Sequence, residues 1–388
     1  MLKPVVLFCL LLVQGFSVKA QETLYQYLKL GAYSVGFMDT VLFDTTYTYQ
    51  AYAYNGKKPH FIQVWHPVTE QPKQENGLTV NQFYTTSTNS SLTSVQQQLN
   101  KHYQEAVIRD GIEENLVTHE ANQFGAYSHT DVLGLVGELA TKSSFCQLKK
   151  PSQFPVIVYH HGAQSNSFEN FAMAEYFASR GFIFVSANFH LPYENTLFGL
   201  KPFSKLIKNE DEQSLKTVLE FAQSLSNSSA IFFVGHSWGA QMGFRTLDGD
   251  SSIKGFVSLE TTIEFKTDHE KIKEMWPEVY QKVITDSVHY PFPMLLCAAT
   301  GQDKPFEFFK QLNAQHLTFA PTKEEFEHNA YTSTFYLRYF INNNIPQPDK
   351  AILKDRLHYY VKHLELIHQF FDGILQNRNE LPLVKYIE

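Results

Sequence analysis

Cysteine is scarce in this chain: three residues in 388, at positions 9, 146 and 297. So few thiols exclude a fold built on a disulfide framework. Basic charge is short as well. Lysine and arginine number 32 against 39 acidic residues, a formal net charge of −7, which argues against nucleic acid as the main partner. Long apolar runs are missing beyond the first twenty residues. None approaches the roughly 18 residues of a spanning helix, so no stable membrane insertion of the mature chain is expected. Core-forming material, by contrast, is plentiful. Hydrophobic residues make up 43% and charged residues only 18%, which fits a folded chain and not a disordered one.

The first twenty residues read differently from the rest. Lys3 precedes the apolar run "PVVLFCLLLVQGF", and "SVKA" follows with a plausible cut after Ala20. This is the pattern of a secretory signal peptide over 1–20, and it implies a secreted or periplasmic protein. The run is short for an N-terminal anchor, and no stop-transfer charges follow it. Cleavage would remove Cys9, Lys3 and Lys19 and make the charge balance more acidic still. Cys146 and Cys297 would remain. They could pair in an oxidising compartment, although Cys297, inside "PMLLCAA", suits a buried thiol.

Residues 21–80 carry strand-like segments such as "YTYQAYAY" and "FIQVWHPV". A polar stretch over 81–100 and helix-like runs up to 145 suggest a cap-like insertion at about 81–145, within a single domain over 21–388. From Gln153 onward strand and helix alternate. "FPVIVYHHG", "FIFVSANFH", "AIFFVG", "IKGFVSLE" and "FPMLLCAA" are unbroken apolar runs, and "QHLTFAP" reads as a last strand. Between them "SFENFAMAEYFASRG" and "EDEQSLKTVLEFAQSL" have helical spacing. This is the signature of an α/β fold: a mostly parallel central sheet covered on both faces, hence three layers. "EHNAYTSTFYLRYFI" and "DRLHYYVKHLELIHQFFDGIL" read as further helices.

The segment with the most chemistry is "IFFVGHSWGAQ", Ile231–Gln241. An apolar strand that turns at once into a helix leaves one residue at a sharp bend. Gly235 and Gly239 flank Ser237 where a side chain would collide. The result is a G-x-S-x-G elbow, with the serine hydroxyl raised beside backbone N–H groups at a helix start. The N–H of Trp238, just after the serine, is one candidate oxyanion donor. The N–H of Ala163, in the turn of "VYHHGAQSNS", is the other. His160 and His161 in that turn suit local packing. No acidic or cysteine ligand stands beside them at regular spacing, so no metal is implied.

A serine hydroxyl needs a base. The order for this kind of site is Ser, acid, His, so the base should follow the last strand. His328 in "EHNAY" is in that place, whereas His289 and His316 precede or belong to strands. The acid has two candidates, both at strand ends: Glu260 after "FVSL" and Asp303 in "LLCAATGQD". Glu324, Glu325 and Glu327 crowd His328 in sequence and read as surface charge.

At this point the chain resembles the α/β-hydrolase superfamily, in particular the branch around platelet-activating factor acetylhydrolase and dienelactone-hydrolase-like enzymes. The likeness is carried by "HFIQVWHPV", "FPVIVYHHGAQSNS", "FASRGFIFVSANFH", "VGHSWGAQMGF", "FVSLE" and "EHNAY". It is weak over 81–150. The resemblance implies Ser237 as nucleophile, Glu260 as acid, His328 as base, and Ala163 and Trp238 as oxyanion donors. That branch commonly has Asp where this chain has Glu260, and wider superfamily members place the acid where Asp303 stands. The activity implied is serine-dependent carboxylic ester hydrolysis, on a small-molecule or lipid ester and without a cofactor. The elbow alone fits an amidase or peptidase equally, and an inactive binding protein on the same fold is the remaining alternative. Oligomeric state is not legible.

Overall fold

The computed structural model describes residues 22–69, 77–84, 97, 101, 128–149, 151–163, 165–191, 205–261, 269–299, 308–322, 326–341 and 350–378. The chain begins with a long hairpin, β1 (Ser34–Ala51) and β2 (Tyr54–Val68), paired antiparallel. Tyr52 and Ala53 connect them with φ of 52° and 60°. Positive φ at both central residues is what a two-residue hairpin needs to match strand twist. Helix α1 (His129–Gly137) starts at Ser128, which exchanges cap bonds with Asp131, and β3 (Ser143–Phe145) then joins the outer edge of β1 in parallel. The C-terminal end of the expected 81–145 insertion is thus part of the sheet. Near its start Phe83 packs against Phe37 and Trp65 at ring separations of 4.9 and 5.5 Å. The run "SVQQQLNKHYQEAVI" lies largely outside the described residues.

The α/β alternation follows: β4 (Val156–His160), α2 (Phe171–Ala178), β5 (Ile183–Ala187), α3 (Lys205–Ser224), β6 (Ile231–His236), α4 (Trp238–Thr246) and β7 (Ile253–Leu259). Then come α5 (His269–Met275), α6 (Pro277–Tyr280), β8 (His289–Ala299), β9 (Asn313–Thr322) and α7 (Lys350–Leu375). The sheet has nine strands in the order β3-β1-β2-β5-β4-β6-β7-β8-β9. From β5 to β9 every pairing is parallel, and β2 joins β5 antiparallel.

Side-chain alternation along the strands divides the core in two. Ile157, Tyr159, Phe232 and Val234 face α2 and α7, where Phe232 stacks on Phe371 at 4.3 Å. Val156, Val158, Ile231 and Phe233 face the other way, toward Leu215, Val218 and Ala222 of α3 and Met242 and Phe244 of α4. Burial of both faces explains the unbroken apolar runs. The result is the expected three-layer arrangement, helices on either side of a mostly parallel sheet.

One reading changes and one open question closes. "EHNAYTSTFYLRYFI" is not an α-helix but two 3₁₀ segments, His328–Tyr331 and Thr334–Phe340. Thr332 between them is extended, and tertiary bonds explain it: the N–H of Ser333 donates to Asn170 Oδ1 and that of Thr334 to the Glu169 carbonyl, so neither serves a helical ladder. Cys146 and Cys297 do not form a disulfide; Cys297 is buried in β8.

Candidate active site

β6 ends at His236, and Ser237 follows with φ 52° and ψ −115°, immediately before α4. A β-carbon-bearing residue there is strained and persists only where its surroundings hold it. They do so by close backbone contact. A β-carbon on Gly235 would stand 2.5 Å from the Ala240 backbone, and one on Gly239 2.1 Å from the His160 carbonyl oxygen. Helix α4 is therefore seated directly on the end of β4. The Ser237 N–H donates to the Leu259 carbonyl at 3.1 Å, which fixes the bend against β7.

The turn after β4 lies beside this bend. A β-carbon on Gly162 would meet the Ser237 Cβ at 3.4 Å and the His236 ring at 3.0 Å. Ala163, next in the chain, is half-buried against the α4 side of the core. Trp238 is buried, and its Nε1–H donates to Asp211 Oδ2 at 2.6 Å. The same carboxylate oxygen lies 3.0 Å from His190 Nε2. Burial would raise the Asp211 pKa, but the charge and hydrogen bond of His190 outweigh it and hold the group at about 2.

His160 and His161 are both fully buried in the turn. His161 Nε2 accepts the Phe189 N–H at 3.0 Å, so its proton resides on Nδ1, which faces the Gly162 carbonyl at 2.7 Å. Burial, with neighbouring His190 and His160, pushes its pKa down to about 3. His160 stacks on Phe189 at 3.6 Å, and burial takes it to about 4. Both rings are neutral packing elements.

Glu260 follows the last residue of β7, with φ 46°, and is buried. Its Oε2 accepts the Ala299 N–H at 2.9 Å, and its Oε1 lies 3.4 Å from His328 Nδ1. The His328 side chain is 39% exposed. With Nδ1 turned to the carboxylate, Nε2 is the nitrogen left for chemistry. The loop that carries His328 is tied to the elbow, because His236 Nε2 sits 3.1 Å from the His328 carbonyl oxygen. Among the other candidates, Asp303, Glu324 and Glu325 lie outside the described residues. His289 and His316 are exposed on β8 and β9, and Glu327 is exposed and paired with Arg356 at 2.8 Å. Among the described residues no group of histidine, cysteine and acidic side chains is arranged to hold a metal ion.

Sequence reasoning passed over two residues that the structure places at the site, Glu169 and Asp211. Glu169 Oε1 accepts from Tyr159 OH at 2.5 Å and lies 2.9 Å from His236 Nδ1; its Oε2 accepts the Gly162 N–H at 3.2 Å. The available signal was an acidic residue within the mostly apolar run "SFENFAMAEYF", which calls for a buried partner.

No family model and no curated protein sequence matches this chain. Solved structures do. A ferulic acid esterase from Streptomyces cinnamoneus is similar over 94% of each chain, at 16% identity and a TM-score of 0.54. An acylaminoacyl peptidase from Pyrococcus horikoshii matches 60% of this chain and 39% of its own at 15% identity and a TM-score of 0.40. The bacterial brefeldin A esterase matches 87% of this chain and 80% of its own at 10% identity and a TM-score of 0.39. At these identities the likeness is one of architecture, and the architecture of this chain is the α/β-hydrolase fold.

Proposed function

We propose that this protein is a serine hydrolase that cleaves carboxylic esters through an acyl-enzyme. One observation carries the reading: Ser237 is held at φ 52° between β6 and α4, and the loop bearing His328 is bonded to the residue just before it. His328 Nε2 takes the Ser237 proton as the hydroxyl attacks the carbonyl carbon. Glu260 keeps the opposite nitrogen of His328 protonated and stabilises the imidazolium that forms. The Glu260–His328 contact of 3.4 Å is long, as such bonds often are before substrate binds. The N–H groups of Ala163 and Trp238 hold the oxyanion. His328 then gives its proton to the leaving alcohol, and water, activated by the same imidazole, releases the acid.

Glu260 is preferred to Asp303 as the acid because it stands beside the imidazole. An ester is preferred to an amide on the likeness of motifs to the acetylhydrolase and dienelactone-hydrolase-like branch. Secretion follows from the N-terminal leader, and an apolar acyl group is the substrate feature that the same branch suggests.

A fluorophosphonate probe tests the reading. It should modify folded protein at Ser237, and Ser237→Ala should abolish both labelling and turnover. An unlabelled, folded wild type would overturn the proposal. Paired assays on a short acyl ester and its matching amide separate esterase from amidase, and Glu260→Gln beside Asp303→Asn separates the two acids.

A further inference from the structure

Behind the proposed triad lies a second pair of the same two residue types, and we infer that it positions the reacting groups. Glu169 and His236 form a buried, charged bridge that locks the oxyanion turn, the nucleophile elbow and the histidine loop into one register. This inference rests on the serine-hydrolase reading and adds positioning residues to it.

The geometry makes the case. Each residue of the pair is only 3% exposed. His236 immediately precedes Ser237, and both of its ring nitrogens face oxygen: Nδ1 toward Glu169 Oε1 at 2.9 Å, Nε2 toward the His328 carbonyl at 3.1 Å. A carbonyl has no proton to give, so Nε2 must donate. The Glu169 carboxylate already accepts from Tyr159 OH and from the Gly162 N–H, an arrangement that favours its ionised form. Nδ1 therefore donates too, and the ring is an imidazolium. The backbone of Glu169 extends the tie, since its carbonyl accepts the Thr334 N–H at 3.1 Å and the Ser333 hydroxyl at 3.0 Å.

The groups around the ring agree with a resident positive charge. Tyr159 from β4, His161 from the turn, Glu260 from the end of β7 and His328 are the titratable groups around the pair, and Glu260 adds to Glu169 in favouring a charged His236. Burial acts to lower the His236 pKa, and Glu169 more than offsets this, so the net direction is upward. Burial likewise acts to raise Glu169, and His236 reverses it, holding the carboxyl at about 2.

A neutral imidazole has one N–H. It could bond either the carboxylate or the histidine loop, and the other contact would become a meeting of lone pairs. The bridge thus allows His328 to keep a partly exposed side chain on a fixed backbone. An error of about 1 Å in such a register can lower turnover by about 10²-fold.

The test uses the full chain. In wild-type protein labelled with ¹⁵N-histidine, NMR at pH 6 should show one imidazole protonated at both nitrogens and protected from solvent exchange. Absence of such a ring would overturn the inference, and this measurement needs no variant to fold. Glu169→Gln and His236→Gln should then lower kcat on a short acyl ester at least tenfold, with KM within about threefold. Ser237 should still react with the fluorophosphonate, at a rate that falls in parallel. Folded variants with wild-type kcat would overturn the positioning role, because a purely structural role lowers stability and spares kcat in the folded fraction. A wild type that neither labels nor turns over sinks the hydrolase reading and this role with it, an outcome distinct from an active wild type with unimpaired variants.

Discussion

Two glutamate–histidine pairs stand at the carboxyl end of the sheet, and they differ in the one variable that decides what such a pair can do. Glu260 and His328 are 3.4 Å apart, with the imidazole 39% exposed. Glu169 and His236 are 2.9 Å apart, with both partners buried. In the proposed mechanism, access to water and substrate makes the first imidazole the one that carries a proton during the reaction. In the role inferred above, burial and bonds at both ring nitrogens make the second a strut that takes no part in proton transfer to substrate. Identical chemistry in two environments gives a moving part and a fixed one.

The comparison breaks most visibly in turnover. His328→Ala and Glu260→Gln should each lower kcat by about 10⁴-fold with KM little changed, measured with a chromogenic short-chain ester. Comparable losses from Glu169→Gln would erase the distinction between moving and fixed pairs.

Stability should rank the pairs in the opposite order. Glu169→Ala strands a buried imidazole and should cost about 3–5 kcal/mol in urea unfolding. Glu260→Ala should cost about 1–2 kcal/mol, mostly for the Ala299 N–H left without its acceptor, since water reaches His328.

The pH dependence of melting sharpens the contrast further. His236 has a folded pKa above 6.5, so its contribution is full below that pH and is lost as pH rises through the folded value. Burial holds His160 and His363 down at about 4 and His161, with neighbouring imidazoles, at about 3. His60 is lowered to about 4 by burial and by nearby Lys58. These four contribute fully above 6.5 and lose that contribution as pH falls toward their folded values. Glu169 adds a loss below 4.5 as pH approaches about 2. Unfolding free energy should therefore peak near pH 6.5 and fall more steeply on the acid side, by up to about 1.4 kcal/mol per pH unit for each histidine, and the melting temperature should follow it. Glu169→Gln should remove the alkaline limb and steepen the acid limb between pH 6.5 and 4.5, because burial alone then holds His236 down. Scanning calorimetry across pH 4–9 reads both.

Much of the fold was legible because its signals are local. Strands β4 to β8 are buried on both faces, which writes unbroken apolar runs into the sequence. The elbow announces itself because Gly235 and Gly239 answer to backbone contacts of 2.5 and 2.1 Å that no side chain could survive. What stayed hidden depends on distant partners. β3, only "SSF", acquires its strand character from β1. The 3₁₀ geometry after Glu327 is set by bonds to Asn170 and Glu169, some 160 residues earlier. His236 occupies a variable position of the G-x-S-x-G motif, and nothing near it in sequence reveals that Glu169 lies beside its ring. The strand-end position of Glu260 could be read in advance; its positive φ could not.

That backbone turn at Glu260 has a counterpart at Ser237, one strand over. Both residues twist into a conformation natural to glycine, and both would relax if their side chains were pared away. Ser237→Gly should accordingly be more stable than Ser237→Ala by about 1 kcal/mol or less in urea unfolding. At Ser237 that relief stands alone, whereas at Glu260 it is outweighed by the Ala299 N–H left without its acceptor, so durability alone would favour glycine at the first bend and keep the carboxylate at the second.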